Sequence, residues 1–154
     1  MKHLGIGFLI IFLVASLAFA GDGKPVKPSS KDKCQVCGMF VAKYPNWIAE
    51  IIFKDGSYAF FDGAKDMFTY YHNITTYNPS KKTSDILAIY VTEYYSTKLV
   101  PAEKVFFIKG SDVYGPMGEE LIPVEDEGNA KEFMKDHHGK KILKFSELTK
   151  EELK

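Results

Sequence analysis

Hydrophobic and polar positions along the chain predict two copies of one order of elements. In the first copy, strand-like runs at 47–53 and 58–61 flank an Asp-Gly turn that is typical of a hairpin. Apolar residues at helical spacing predict a helix over 63–72. A polar loop at 73–84 then leads to a strand at 85–95, which is rich in β-branched and aromatic residues. The order is therefore β-β-α-β.

The second copy follows the same order. Strand-like runs lie at 104–109, 113–114 and 121–124, separated by turns at 109–112 and 115–118. A helix over 127–137 and a last strand over 141–145 complete it, and a short polar helix begins at 146. The pattern predicts an α+β fold in which two β-β-α-β halves, about 34–97 and 98–154, share one small domain.

The N-terminus predicts an exported protein. Residues 1–20 combine a charged start, an apolar run and a small-x-small cleavage site, which is typical of a cleaved signal peptide; the alternative is an uncleaved anchor. No cysteine lies at the expected cleavage point, so we expect no lipid anchor. Residues 21–33 have the composition of a flexible linker. We expect a periplasmic protein with no stable membrane span after cleavage, and residues 34–154 as its folded domain.

The charge balance narrows the class of partner. The chain has 20 basic and 20 acidic residues, and every basic residue other than histidine is lysine. A nucleic-acid-binding protein usually has a basic surface with arginines that grip phosphates. The sequence therefore predicts no nucleic-acid partner, and it favours a protein or a metal ion.

Soft sulfur is concentrated in one segment, Cys34-Gln35-Val36-Cys37-Gly38-Met39. A CxxC pair occurs in redox proteins, in zinc sites and in copper sites. A disulfide between Cys34 and Cys37 would close too short a loop to stabilise the fold much. The chemistry of this segment thus depends on what the rest of the chain supplies.

Three interpretations without copper are open at this point. A thiol-disulfide protein using Cys34 and Cys37 would need the first cysteine at a helix N-terminus, whereas here extended chain follows the motif. A metal-free interaction module with oxidised cysteines is a further alternative. A zinc site would need four ligands, and the histidines that could add to the cysteines are more simply structural; they are His72, His137 and His138.

Copper(I) fits the sulfur pattern best, because it accepts two or three soft ligands and binds Met as well as Cys. Met39 lies two residues after Cys37, so both side chains would project to one side of an extended segment. Met117 lies in a Gly-Pro-Met-Gly turn, where a ligand role and surface packing both remain open. Met67 and Met134 lie on apolar helix faces and are predicted to pack in the core.

Asp62 precedes the first predicted helix. Capping of that helix is sufficient to explain the residue, and a role near a metal is possible but not required. No arrangement of serine, histidine and acid, no phosphate-binding loop and no carboxylate pair has a recognisable context. The sequence therefore predicts a protein that is not a hydrolytic or phosphoryl-transfer enzyme.

Several segments together resemble the NosL family, the copper-binding accessory proteins of nitrous oxide reductase. They are Cys34-Gln35-Val36-Cys37-Gly38-Met39-Phe40-Val41-Ala42-Lys43-Tyr44-Pro45, Ala49-Glu50-Ile51, Asp55-Gly56, Phe61-Asp62 and Gly115-Pro116-Met117-Gly118. The resemblance covers about 34–148.

The resemblance implies an exported protein that is not an enzyme, with a fold of two β-β-α-β halves distantly similar to alkylmercury lyase. It also implies copper(I) as the bound ion, with Cys37, Met39 and Met117 as ligands and Cys34 as a further thiolate. The implied partner is a periplasmic copper enzyme or its assembly machinery, with nitrous oxide reductase as the first candidate. Many family members are lipoproteins, which this sequence does not predict for itself.

Overall fold

A computed structural model describes residues 22–154, so the predicted signal peptide at 1–20 lies outside the described residues. The fold is α+β, as the sequence predicts, and it contains two antiparallel sheets. Within the described part of the chain, no helix is both long enough and apolar enough to cross a bilayer.

The first sheet has four strands in the order β2-β1-β3-β4. Its strands are β1 (Ala49–Phe53), β2 (Tyr58–Phe61), β3 (Ile86–Thr92) and β4 (Leu99–Pro101). Helix α1 (Ala64–His72) connects β2 to β3 and is followed by the single turn α2 (Ile74–Tyr77). The predicted hairpin is confirmed, because β1 and β2 pair across a turn in which Gly56 has a φ of 84°.

The second sheet has three strands in the order β6-β5-β7. They are β5 (Phe106–Gly115), β6 (Gly118–Val124) and β7 (Lys141–Lys144), and α3 (Glu127–Asp136) connects β6 to β7. In each half the first strand lies between the second and the third, and both of its neighbours run antiparallel to it. The predicted repetition of β-β-α-β is confirmed by this shared topology.

Short 3-10 helices occupy many of the connections. They are Val41–Lys43, Pro45–Trp47, Thr83–Asp85, Ala102–Lys104, Phe145–Glu147 and Glu151–Leu153. The short helix predicted from residue 146 is therefore two 3-10 turns. The predicted loop at 73–84 is wrong in part, because it contains α2 and the start of a 3-10 turn.

The turn predicted at 109–112 is wrong, since β5 runs through it without ending. Gly110 has a φ of 75°, and the pairing of β5 with β6 shifts register between Lys109 and Tyr114. The backbone N–H of Asp112 donates to the carbonyl of His137 instead of to a turn partner. The true hairpin turn follows at 116–117, between the paired residues Gly115 and Gly118.

The segment predicted as a linker lies against the first sheet. Residues 22–32 form no helix or strand. The backbone N–H of Val26 donates to the Glu50 carboxylate at 3.0 Å, and the Tyr90 hydroxyl donates to the Gly23 carbonyl at 2.8 Å. Glu50 and Tyr90 are partners in the β1–β3 register, so the segment crosses the sheet at this pair.

The core continues from one half into the other. Along β5, Phe107 belongs to the cluster beneath the first sheet, whereas Ile108 belongs to a smaller cluster beneath α3. Side chains of successive strand residues point to opposite faces, so the second sheet is buried on both. Phe68 of α1 contacts Phe107 edge-on, with ring centroids 5.1 Å apart. Helix α1 therefore packs between the two halves.

Candidate metal centre

The two cysteines lie in a closed loop, residues 34–39, which we call the sulfur loop and which is attached to the edge of the first sheet. The N–H of Cys34 donates to the Met39 carbonyl at 2.8 Å, and the N–H of Gly38 donates back to the Cys34 carbonyl at 3.0 Å. Gly38 has a φ of 80°, a left-handed conformation that suits glycine. Cys34 also forms a parallel bridge with Phe60 of β2. The loop thus lies beside the strand that leads into α1.

Two aspartates from that strand and helix face the thiols. The Cys37 thiol donates to Oδ1 of Asp62, and the Cys34 thiol donates to Oδ2 of Asp66, each at 3.2 Å. Asp62 follows β2 directly, and Asp66 lies in the first turn of α1. One ligand atom from each of these four residues lies within 4.8 Å of every other. They form the candidate metal centre, which we call the Cys–Asp cluster.

Asp62 does not cap α1, so the predicted capping role is wrong. The N-cap residue is Gly63, which has no side chain to cap the helix. The Asp62 side chain turns to the sulfur loop instead, and the residue is only 1% exposed. Its second oxygen, Oδ2, is a buried oxygen that finds no hydrogen-bond partner among the described residues. A buried carboxylate oxygen without a donor is costly, and a bound cation would satisfy it.

Burial keeps both thiols protonated. Cys34 is 3% exposed, and burial together with the nearby Asp62 carboxylate raises its pKa far above the usual range of a thiol. Burial and the same carboxylate raise the pKa of Cys37 to about 11. Both cysteines are free thiols. A metal ion must therefore displace a proton from each sulfur that it binds.

The predicted methionine ligands differ in their surroundings. Met39 is half-buried at the end of the sulfur loop. Met117 is 58% exposed at the tip of the β5–β6 hairpin. The Cys–Asp cluster itself consists of two thiols and two carboxylates. Met67 is fully buried in the cluster beneath the first sheet and Met134 packs against the smaller cluster beneath α3, which confirms the predicted packing role of both.

The hairpin that carries Met117 is anchored to the helix that carries Asp66. Glu120 of β6 is buried, and its Oε1 accepts bonds from the backbone N–H groups of Lys65 and Leu121 at 2.5 and 2.8 Å. Burial raises the pKa of Glu120 to about 8. A Cβ on Gly63 would lie 1.9 Å from Oε2 of the same carboxylate. The start of α1 and the strand below Met117 are thus in direct contact.

The histidines have other partners. A ring nitrogen of His72 lies 2.5 Å from the Leu148 carbonyl, and Nδ1 of His137 lies 3.0 Å from Asp112. His137 also ends α3 as its C-cap, as the sequence predicts for a helix-terminal histidine. No histidine is part of the Cys–Asp cluster within residues 22–154.

Asp66 is the residue of the cluster that the sequence analysis missed. The only signal is the spacing of Asp62 and Asp66, which places the second carboxylate one helical turn after the first. That spacing gains meaning only when the sulfur loop lies beside β2. The bridge between Cys34 and Phe60 spans 26 positions of sequence (60 − 34), and no local pattern indicates it.

Comparisons with known proteins agree with this architecture. The chain is 24% identical over 164 aligned residues to the copper-binding lipoprotein NosL of Stutzerimonas stutzeri, and the alignment covers 96% of this chain and 82% of that protein. The crystal structure of the copper chaperone NosL from Shewanella denitrificans matches with a TM-score of 0.71 at 21% identity. That match covers 85% of this chain and 99% of the other, and it confirms the fold.

Both relatives are named for metal binding or metal handling rather than for a catalysed reaction, in agreement with the prediction of an accessory protein that is not an enzyme. The family model described as NosL matches residues 25–153. That span includes the sulfur loop, both sheets and the Met117 hairpin. The chain therefore belongs to the NosL family.

Proposed function

We propose that this protein binds copper(I) outside the cytoplasm and delivers it to a periplasmic copper enzyme. Two free thiols lie side by side against the end of β2, and one of them is half-exposed. This pair of soft donors in a mostly buried setting is the observation that carries the proposal. The names of the two NosL relatives, which describe copper binding and copper chaperoning, support it.

Cys37, Met39 and Met117 are the proposed ligands, with Cys34 as a further thiolate. Met39 ends the same loop as the cysteines, and Met117 lies on a hairpin whose strand contacts the start of α1 through Glu120. Copper(I) is stable with two or three soft ligands. A site with so few ligands leaves room for a sulfur or nitrogen ligand of the acceptor to bind before the first ligands leave, so the ion passes on without release to water.

The competing thiol-disulfide function has less support. A redox-active CxxC pair needs a thiol with a lowered pKa, commonly at a helix N-terminus. Here burial raises the pKa of both thiols, to about 11 for Cys37, and a hydrogen-bonded turn follows the motif instead of a helix.

Titration of the reduced protein with copper(I) against a chromophoric chelator tests the binding proposal. We expect the double variant Cys37→Ser/Met117→Ala to lose at least about tenfold in copper(I) affinity, because it removes two of the soft donors. Met134→Leu is the matched control, since it changes a methionine that packs against the cluster beneath α3. Unchanged affinity in the double variant would rule out this ligand set.

The acceptor that we propose is nitrous oxide reductase. The copper-loaded protein is incubated with the copper-free reductase, the two are separated, and copper is measured in each. In a control, the copper-loaded protein is incubated with a chelator alone, which measures how much copper it releases to solution. More copper in the reductase than in the chelator of the control supports the proposal. Copper that stays on the carrier, or that passes equally to the reductase and to the chelator, contradicts it.

A further inference from the structure

We propose that a cleft between the two halves of the fold binds an arginine side chain of a partner protein. The cleft consists of two adjoining depressions that share Tyr95 as a wall, and we call it the Tyr95 cleft. Its lining includes no residue of the Cys–Asp cluster and neither of the proposed methionine ligands. The inference therefore goes beyond copper handling and does not depend on it.

The first depression has aromatic walls. Its volume is about 380 Å³, and its aromatic lining residues are Trp47, Tyr94 and Tyr95. The rings of the two tyrosines have centroids 5.1 Å apart and are nearly perpendicular, at 82°. Tyr94 also contacts Phe133 of α3 edge-on, with centroids 4.8 Å apart, which fixes this wall against the second half. The faces of tryptophan and tyrosine rings attract cations.

The second depression is acidic. Its volume is about 450 Å³, and its charged lining residues are Glu93, Glu125 and Asp126. Asp126 also caps α3 by accepting from the N–H of Asn129, whereas Glu125 is exposed. Within the described part of the chain, no lysine lines either depression. The charge of the Tyr95 cleft is therefore complementary to that of a cation.

The Glu93 carboxylate is an independent indication of a cationic ligand. Glu93 is only 3% exposed, and its Oε2 accepts from the backbone N–H of Ser96 at 2.6 Å. Its other oxygen, Oε1, has no hydrogen-bond donor among residues 22–154, and the residue lines the acidic depression. A carboxylate oxygen that is largely removed from water without gaining a donor is costly. An N–H group of a guanidinium would supply that donor.

The turn that carries Tyr95 is held in place by backbone hydrogen bonds. The N–H of Thr97 donates to the Glu93 carbonyl at 2.9 Å, and Thr97 has a φ of 54°, which β-branched residues rarely adopt. The N–H of Tyr94 donates to the Pro123 carbonyl of β6, also at 2.9 Å, so the turn is bonded to the second half. A site that is already ordered loses little conformational freedom when a ligand binds.

Further negative charge surrounds the Tyr95 ring, which is 53% exposed. Burial raises the pKa of the Tyr95 hydroxyl, and the nearby negative charges of Glu132 and Asp136 on α3 raise it further. An acidic surface of this kind increases the rate at which a basic partner associates.

Arginine suits this combination of walls better than lysine. A guanidinium is planar, so it can lie flat on an aromatic ring while its edge donates two N–H groups to a carboxylate. The lysine ammonium has no flat face. The chain contains no arginine, so a second copy does not supply the side chain. Both depressions are open to solvent, which leaves room for the rest of a partner polypeptide.

Short peptides with one variable side chain are the probes. The reduced protein is titrated with acetyl-Gly-Ser-Arg-Ser-Gly-amide, and Trp47, the one tryptophan of the chain, reports binding by its fluorescence. We expect a saturable change and an affinity at least about tenfold higher than that of the citrulline peptide, which has nearly the same shape but no charge. The lysine peptide should bind less tightly than the arginine peptide. Equal affinity for arginine and either substitute, or no saturable change with arginine, would overturn the proposal.

Two variants test the walls of the cleft. Glu93→Gln keeps an acceptor for the N–H of Ser96 but removes the charge, and it should weaken the arginine peptide at least about tenfold. Tyr95→Leu removes an exposed aromatic face and should weaken it at least about threefold. The controls are Glu103→Gln and Tyr114→Leu, since both residues are exposed and line neither depression. Circular dichroism checks that each variant is folded. Unchanged affinity in either cleft variant, or equal weakening in the controls, would overturn the proposal.

Copper measurements separate this inference from the copper proposal. Tyr95→Leu should keep the copper(I) affinity of the original protein, and Cys37→Ser/Met117→Ala should keep its affinity for the arginine peptide. A protein that binds copper(I) but not the peptide refutes the arginine site alone. A protein that binds the peptide but not copper(I) refutes the copper site alone.

Discussion

At the scale of single residues, the contact between Gly63 and Glu120 positions the candidate metal centre. Gly63 has a φ of 177°, which any residue adopts, so its backbone conformation does not require glycine. Space does require it, since a Cβ would lie 1.9 Å from Oε2 of Glu120. The same carboxylate accepts from the N–H of Lys65 in the first turn of α1, between Asp62 and Asp66 in sequence. Together with the bond from the Lys65 ammonium to the Glu119 carbonyl, this contact holds the two carboxylates relative to the Met117 hairpin.

Gly63→Ala is therefore expected to destabilise the protein by about 1–3 kcal/mol through steric conflict. The double variant Gly63→Ala/Glu120→Ala removes the carboxylate with which the new methyl group collides. Its cost should be smaller than the sum of the two single costs, because the two positions are in contact. Urea unfolding of the four proteins measures this. Additive costs would show that the contact does not explain the glycine.

Individual residues of the site differed in how far the sequence revealed them. Cys34 and Cys37 stand out by type and spacing alone. Asp62 also stands out, but local rules assign it to helix capping, which is wrong here because its side chain accepts from Cys37. Asp66 could not be identified, because its role depends on a loop that reaches β2 through long-range pairing.

At the scale of elements, hydrophobic runs predicted most strands of the two sheets and the helices that connect them. The composition of turn-like segments was less informative about where strands end. Lys109-Gly110-Ser111-Asp112 has the composition of a turn, yet β5 continues through it with a shift in register. Strand β4 was not predicted, because it is three residues long and depends on pairing with β3. The secondary structure of such segments depends on long-range strand pairing more than on their own residues.

The segment before the sulfur loop covers the face of β1 that points away from the cluster beneath the first sheet. Ala49, Ile51 and Phe53 belong to the main core, whereas Glu50 alternates with them on the opposite side and is also buried. Glu50 accepts from the N–H of Val26 through both carboxylate oxygens, at 3.0 and 3.2 Å. Burial raises the pKa of Glu50 to about 7 from an ordinary value of 4.5.

Stability should consequently fall as pH rises from about 4.5 to above 7. In that range the folded state holds a proton on Glu50 that the unfolded state has already lost, so the contribution is complete below pH 4.5 and is lost above pH 7. The change attributable to Glu50 is up to about 3 kcal/mol. Glu120, with a raised pKa of about 8, acts in the same direction.

Glu50→Gln isolates the contribution of this side chain to the pH dependence of stability. The variant should match the original protein at pH 4 and be more stable than it at pH 8, because the amide stays neutral and still accepts from Val26. Free energies of unfolding in urea at the two pH values measure this difference. Glu103→Gln, at an exposed glutamate, is the control. An equal pH dependence of Glu50→Gln and the original protein would contradict the assignment.

At the scale of the whole molecule, the two similar halves share their packing. Phe107 and Leu121 of the second sheet belong to the core beneath the first, together with Leu148 from the C-terminal segment. Trp47, which precedes β1, packs against the cluster beneath α3 in the other half. Each half therefore supplies part of the other's core, and neither sheet is buried by its own residues alone. We infer that the halves fold as one cooperative unit and hold the Met117 hairpin at a set position relative to the thiols.

Phe68 is the residue through which this cooperativity can be tested. It is fully buried in α1, and its ring lies 5.1 Å from that of Phe107 and 5.0 Å from that of Phe145. Phe68→Ala should cost about 3–5 kcal/mol, and Phe68→Leu clearly less, because the cavity is smaller. Unfolding in urea is followed by Trp47 fluorescence and by far-ultraviolet circular dichroism. Both signals should shift together to lower urea as one transition, because loss of the shared contact weakens both halves at once. A shifted fluorescence transition together with a second, unshifted step in circular dichroism would mean that the halves are independent units. The Met117 hairpin could then move away from the thiols without unfolding of the first sheet.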